Sequence, residues 1–172
     1  MAVIFDMDGV IVDNSEQHYQ AWETYCRRKK IPYSREGARY WFGGTNRDIL
    51  EKLYKREISP GEAEVEGEVK EALYRELMED TMEEVPGLKA LLEDLKRHNV
   101  PLAVATSAPG KNVDFVLERL QLRPYFSQVV DAEGIQNGKP DPEIYLKAAS
   151  SLGVNPEQCL VFEDALNGIR SA

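Results

Sequence analysis

The feature that most constrains the fold is a short apolar run at the N-terminus that ends at two carboxylates. The run Ala2–Phe5 is followed by Asp6, Asp8 and Gly9. A continuous apolar run is typical of an interior strand of a parallel sheet, and ligands of such sheets bind at the carboxyl ends of the strands. We therefore expect both aspartates to face a crevice, where one carboxylate can attack a substrate while the other transfers a proton.

The same Asp-x-Asp-Gly pattern also occurs in calcium loops and in acidic turns. A calcium loop that opened at Asp6 would need glycine in place of Ile11 and glutamate in place of Gln17, so the register excludes it. An acidic turn stays open on this motif alone, and the choice depends on the rest of the chain.

The composition describes a soluble globular chain with one main core, since 42% of the 172 residues are apolar, 30% are charged and the net charge is −9. Lysines and arginines are scattered, which argues against binding to nucleic acids or anionic membranes. No apolar stretch reaches the ~20 residues of a membrane span. Cys26 and Cys159 lie far apart and no signal peptide is evident, so we expect a reducing cytoplasm and no disulfide framework.

A long segment after the first motif is helical in pattern and contains no strand candidate. Apolar residues recur in it at three- and four-residue spacing, and Thr45 and Ser59 are typical N-caps of two further helices. The charged run after Ser59 is expected to form a solvated helix face. We therefore predict a helical domain of residues 14–81, the cap, inserted into an α/β core of residues 1–13 and 82–172.

Two later strands also end at polar side chains. One predicted strand ends at Thr106 and Ser107, and another ends at Glu163 and Asp164. Between them Lys139 lies in a loop constrained by a neighbouring glycine and proline, which favours a fixed cationic role, although an isolated lysine is more often a surface residue. The ordered set of three strand ends and one loop indicates a single site.

This ordered set resembles the four motifs of the haloacid dehalogenase superfamily. The matching segments are DMDG at Asp6, the strand-end Thr106, GKPDPEIY around Lys139 and VFEDALNGI around Asp164, and together they span the chain. The helical insertion is similar to the cap of the subgroup that contains β-phosphoglucomutase and phosphoglycolate-type phosphatases. The resemblance implies an α/β fold, with a Rossmann-like parallel sheet and an all-helical cap.

The resemblance also implies phosphoryl transfer through an aspartyl-phosphate. In this scheme Asp6 is the nucleophile and Asp8 is the general acid and base. Thr106, Ser107 and Lys139 would bind the phosphoryl oxygens. The expected substrate is a small phosphorylated metabolite, such as a sugar phosphate.

The cofactor that the resemblance implies is Mg²⁺. It would be held by Asp6, by the backbone carbonyl of Asp8 and by Asp164, with Glu163 nearby or acting through water. No nucleic acid or membrane is expected as a partner.

Five cap and loop positions are expected to contact the substrate: His18, Gly44, Arg47, Lys111 and Asn112. By resemblance, His18 would contact the sugar, Arg47 would bind the phosphate that is not transferred, and Lys111 with Asn112 would line the same end of the pocket. Taken alone, His18 is also compatible with a structural role and Arg47 with that of an ordinary surface arginine.

Two departures from the mutase pattern favour hydrolysis. Gly43 stands where that subgroup has a substrate-binding lysine, and the loop of residues 107–110 before Lys111 is longer. Because a mutase must hold two phosphates, the loss of one cationic contact favours a phosphatase. A sugar phosphate mutase and an inactive fragment stay as alternatives.

Two other classes of protein fit the motifs less well. A receiver-type signalling domain also joins acidic residues, a strand-end hydroxyl and a lysine, but it has no helical insertion after its first strand and its phosphorylated aspartate follows a later one. A dinucleotide-binding module needs a G-x-G-x-x-G pattern after a strand, which this sequence lacks.

The end of the sequence carries no helix stop signal. The helix that begins near Ala165 runs to Ala172 without a cap, whereas family members usually continue with a further strand and helix. We therefore expect a C-terminally truncated form with an exposed sheet edge and uncovered apolar surface, which favours association or low stability. An intact chain is expected to be a monomer.

Overall fold

The computed structural model describes residues 1–38, 40–41 and 43–172, and in these residues four parallel strands form one sheet. The strand order is β3-β2-β1-β4. The strands are β1 (Ala2–Phe5), β2 (Leu102–Ala105), β3 (Gln128–Val130) and β4 (Cys159–Phe162). The α/β fold with a parallel sheet is therefore confirmed, and β1 lies inside the sheet.

The described residues form eight α-helices. They are α1 (Ser15–Lys29), α2 (Arg35–Ala38), α3 (Asn46–Tyr54), α4 (Pro60–Met78), α5 (Leu88–Arg97), α6 (Gly110–Arg119), α7 (Glu143–Ser151) and α8 (Leu166–Ser171). None of these helices combines the length and the apolar character that crossing a membrane requires. Helices α1 to α4 follow β1 with no named strand among the described residues between them, and we propose that residues 14–81 form the cap.

Strands β1 and β2 are buried on both faces, and alternate residues of each strand point to opposite sides. Ile4 belongs to a small core that includes residues of α7. Val3 and Phe5 belong to the larger core, together with Leu92 of α5 and Val116 of α6. Burial on both sides explains why the sequences of β1 and β2 are wholly apolar.

The predicted helix starts in the cap are confirmed. Thr45 accepts a hydrogen bond from the backbone N–H of Asp48, whose side chain accepts one from the Thr45 N–H in return. Ser59 accepts from the N–H of Glu62, at 3.2 Å, directly before Pro60. Both α1 and α3 pack against α4.

Among the described residues, strand β4 has a neighbouring strand on one side only, and that strand is β1. Leu160, Leu166 and Ile169 expose 51%, 59% and 57% of their surface. The expected exposed edge and apolar surface are therefore present, while the expected truncation stays a prediction.

Candidate active site

Polar side chains meet at the carboxyl edge of the sheet because they follow neighbouring strands. Asp6 follows β1, Thr106 follows β2 and Glu163 follows β4. The N–H of Asp6 donates to the carbonyl of Phe162 at 3.0 Å, and the N–H of Thr106 donates to that of Val130 at 2.9 Å. The strand pairing thus extends to the first site residue and fixes its position.

Lys139 connects two of these carboxylates. Its Nζ lies 2.8 Å from Oδ1 of Asp6 and 2.7 Å from Oε2 of Glu163, and its side chain is fully buried. The hydroxyl of Tyr145 donates to the same Glu163 oxygen. Burial lowers the pKa of Lys139, but the negative charges, that of Asp6 first, outweigh burial and raise it. Lys139 is therefore a fixed cation.

The carboxylates at this edge form a set that fits a divalent cation. Oxygens of Asp6, Glu163 and Asp164 all lie within 4.8 Å of one another. Burial raises the pKa of Asp6 to about 7, with Lys139 opposing and the charges of Glu163 and Asp8 adding to the increase. Burial, and then Glu163, also raise the pKa of Asp164. Carboxylates this close together resist ionisation because their negative charges repel one another. A hard divalent cation, which prefers oxygen ligands, stabilises their ionised form.

Gly9 allows Asp164 to approach the first motif. Its φ is +80°, and a Cβ atom at Gly9 would lie 2.3 Å from Oδ2 of Asp164. The position therefore requires glycine, both for the backbone conformation and for the space.

The side chain of Asp8 lies outside the carboxylate set and faces the cap. Its Oδ1 accepts from Nδ2 of Asn14 at 2.6 Å, and its Oδ2 lies 3.4 Å from Nε2 of His18. Burial raises the pKa of Asp8, but the contacts with His18 and Asn14 and the charge of Lys70 outweigh burial and lower it. The two aspartates of one motif thus have pKa values shifted in opposite directions.

A cavity of about 70 Å³ lies between the sheet edge and the cap helices. Many of its wall residues are predicted site residues: Asp6, Asp8, His18, Gly44, Thr106, Ser107, Lys139 and Asp164. A wider groove of about 620 Å³ adjoins the cavity, and Gly44 and Lys139 line both. The cavity has room for only a few water molecules.

Three predicted substrate contacts do not line this cavity. Nε of Arg47 lies 3.0 Å from Glu51 on the next turn of α3, with half of the side chain exposed. Lys111 is 71% exposed and lies 3.3 Å from Glu68. Asn112 is buried and hydrogen-bonded to side chains of α4. The contact of these residues with substrate stays a prediction.

Sequence reasoning missed two charged residues of the cavity wall. Lys70 and Glu71 are only 2% and 3% exposed, so the expectation of a solvated helix face is wrong for both. The signal was the spacing of the buried residues in α4, whose stripe includes both charges: Ala63, Gly67, Lys70, Glu71, Tyr74 and Met78.

Comparisons with known proteins agree with the geometry. The chain is 36% identical over 175 residues to a phosphorylated carbohydrates phosphatase of Thermotoga maritima, covering 99% of this chain and 79% of that protein. It is 34% identical over 179 residues to a β-phosphoglucomutase of Bacillus subtilis, covering 98% and 76%. A crystal structure of β-phosphoglucomutase from Clostridium difficile matches with a TM-score of 0.89 at 31% identity, covering 99% and 78%.

The family model that matches is that of the haloacid dehalogenase-like hydrolases, and the match covers residues 3–172. It includes every residue of the carboxylate set and Lys139. The chain therefore belongs to the haloacid dehalogenase-like hydrolase family.

Proposed function

We propose that this protein is a phosphatase of small phosphorylated carbohydrates that works through a phosphorylated Asp6. The observation that carries the proposal is the buried ion pair of Lys139 with Asp6, placed beside the carboxylates of Glu163 and Asp164 in a cavity under the cap. The family membership and the phosphorylated carbohydrates phosphatase among the relatives support the same activity.

The reaction has two steps. First, a carboxylate oxygen of Asp6 forms a bond to phosphorus, the bond from phosphorus to the sugar oxygen breaks, and that oxygen takes a proton from Asp8. Next, a water molecule attacks the phosphorus of the aspartyl-phosphate and gives a proton to Asp8. Inorganic phosphate leaves, and the carboxylate of Asp6 is restored.

In the second step Asp8 must accept a proton, and its ionised carboxylate can do so. Its lowered pKa leaves the carboxylate ionised and ready to accept the proton of water. For the first step the carboxyl group must be protonated, and a phosphate anion bound nearby would raise its pKa because like charges repel.

Lys139 and Thr106 are placed to hold the phosphoryl group. Lys139 supplies a buried positive charge next to Asp6. The hydroxyl oxygen of Thr106 accepts from the N–H of Ala108 at 3.1 Å, which leaves its proton to be donated to a phosphoryl oxygen. We propose that the Ser107 segment completes this phosphate site, since the Ser107 hydroxyl donates to the carbonyl of Gly43 and ties the loop to the cap.

We propose Mg²⁺ as the cofactor, because the donor set consists of carboxylate oxygens. Asp6, Glu163 and Asp164 would hold it, with the backbone carbonyl of Asp8. When bound, the ion would offset the repulsion between the Asp6 carboxylate and the phosphate anion.

Hydrolysis is favoured over mutase action because the described residues of the cavity wall offer no surplus positive charge for a second phosphate. Among them, Lys70 is the cation on the cap side, and its charge is matched by Glu71 at 3.0 Å. Arg47 and Lys111 are paired with glutamates away from the wall. The part of the substrate that contacts this wall, apart from the transferred phosphate, is therefore expected to be neutral and hydroxylated.

The test is phosphate release by the full chain from glucose 6-phosphate and fructose 1-phosphate, with Mg²⁺ and with a chelator. We expect Mg²⁺-dependent release that Asp6→Asn abolishes, because the amide is nearly isosteric but cannot attack phosphorus. Activity retained by Asp6→Asn would remove the covalent mechanism.

A second assay separates the phosphatase from the mutase. The protein is given β-glucose 1-phosphate with a trace of the 1,6-bisphosphate, and both glucose 6-phosphate and inorganic phosphate are followed. Fast formation of glucose 6-phosphate with little phosphate release would overturn the choice of a phosphatase.

A further inference from the structure

Two adjacent charges of α4 are buried where the cap meets the core. Lys70 and Glu71 are 2% and 3% exposed. Burying a charge costs free energy unless it is paired and hydrogen-bonded. The contacts of this pair therefore indicate what it does.

Both oxygens of Glu71 have defined partners. Oε1 accepts from Nζ of Lys70 at 3.0 Å, and Oε2 accepts from Nδ2 of Asn112 at 2.7 Å. Asn112 belongs to α6 and is itself held by Arg75, which donates to its Oδ1 at 2.7 Å. Burial raises the pKa of Glu71, but the charge of Lys70, which also donates a hydrogen bond to it, outweighs burial and lowers the pKa, so the carboxylate is ionised.

The other side of Lys70 faces His18. Nζ of Lys70 lies 2.7 Å from Nδ1 of His18. An ammonium group can only donate, so Nδ1 must accept, and a neutral imidazole then carries its proton on Nε2. That nitrogen lies 3.4 Å from Oδ2 of Asp8. The ring is also stacked on Tyr74, with centroids 4.0 Å apart, which fixes its plane.

We propose that Glu71 is a positioning residue for phosphoryl transfer, because it holds the Lys70 ammonium against Nδ1 of His18 and so presents the Nε2 proton of His18 to Asp8. The inference rests on the proposed function. Glu71 acts on the aspartate through two intervening side chains. The contact with Asn112 ties this arrangement to the seating of the cap on the core.

The test compares Glu71→Gln with Glu68→Gln in the full chain. Glu68 is a matched control because it lies on the same helix and pairs with Arg75 and Lys111 at the same boundary, but it has no described contact with Lys70. Each variant is assayed for kcat and KM on glucose 6-phosphate and on p-nitrophenyl phosphate. The second ester has a good leaving group, whose departure needs little help from a general acid.

If Glu71 acts on Asp8, Glu71→Gln lowers kcat/KM for glucose 6-phosphate by about 10- to 100-fold, largely through kcat. The same variant lowers kcat/KM for p-nitrophenyl phosphate by no more than about threefold. Glu68→Gln leaves both near wild type. An equal loss on both esters, or no loss on either, overturns the proposal.

A spectroscopic measurement on the wild type keeps the inference testable if Glu71→Gln fails to fold. The chain has two histidines, His18 and His98, so ¹⁵N labelling of histidine gives two ring systems, which His98→Gln assigns. We expect the Nε2–H tautomer for His18. An Nδ1–H tautomer or an imidazolium would contradict the inference. Absence of wild-type turnover on both esters would instead overturn the proposed function, and the inference with it.

Discussion

The ammonium of Lys139 lies 2.8 Å from the carboxylate of Asp6, although 133 residues separate the two in the chain. Replacing Lys139 by methionine leaves two buried carboxylates, those of Asp6 and Glu163, without their cation. We expect Lys139→Met to destabilise the fold by about 3–5 kcal/mol and to lower kcat for phosphate release by at least about 10²-fold. Denaturant unfolding and phosphate release measure the two effects, and the exposed Lys147→Met is the control. A stable, active Lys139→Met protein would contradict both.

The raised pKa of Asp6, about 7 against an ordinary value of 3.8, predicts that protons compete with Mg²⁺. Through this pH range Asp6 binds more protons in the folded protein than in the unfolded chain, so its contribution to the stability of the metal-free protein falls as the pH rises from about 4 to about 7. The proposed Mg²⁺ would bind these carboxylates in their ionised form. We therefore expect Mg²⁺ to raise Tm more at about pH 8 than at about pH 6. Thermal melts with Mg²⁺ or chelator check this, and an equal shift at both pH values would refute it.

Gly9 offers a test of the carboxylate set that leaves every carboxylate in place. In Gly9→Ala the Cβ would lie 2.3 Å from Asp164 and the φ of +80° would be strained. We expect weaker Mg²⁺ binding and a loss of stability of more than about 1 kcal/mol. Gly61→Ala is the control, since nothing lies within 4 Å of its Cβ in the first turn of α4, and it should be neutral or slightly stabilising. Calorimetry of Mg²⁺ binding distinguishes the two variants.

Arg47 tests the choice between the two sugar-phosphate activities. Its pairing with Glu51, away from the cavity, predicts that Arg47→Ala changes kcat/KM for hydrolysis of glucose 6-phosphate by less than about twofold, as is usual for an exposed pair. A loss much larger than this, confined to substrates with two phosphates, would indicate that Arg47 binds a second phosphate.

Strand positions could be predicted because an apolar run that stops at a polar residue leaves a local mark. The runs that form β1, β2 and β4 are apolar throughout, and they end directly before Asp6, Thr106 and Glu163, as predicted. Strand β3 left a weaker mark, since Gln128 is exposed and only Val129 and Val130 are apolar. Asp6 and Glu163 lie close together because they follow the neighbouring parallel strands β1 and β4, and the order of the motifs along the chain indicates this topology.

The cap wall could not be predicted in the same way. A charged residue in a helix is usually solvated. Lys70 and Glu71 follow the spacing of the buried residues of α4, but their burial also depends on packing between α4 and other elements. Likewise, Arg47 could be placed at the start of α3, but the direction of its side chain depends on Glu51 one turn later.

The order of the strands has a consequence for how this protein is made. Asp6, the proposed nucleophile, is synthesised early, yet β1 pairs with β4, the last of the described strands to leave the ribosome. Contacts between distant parts of a chain form slowly because a long loop must close first. A nascent chain that carries Asp6 but still lacks Glu163 and Asp164 has an incomplete carboxylate set. Metal binding would therefore begin only when the sheet is assembled, and its onset would report a late step in folding.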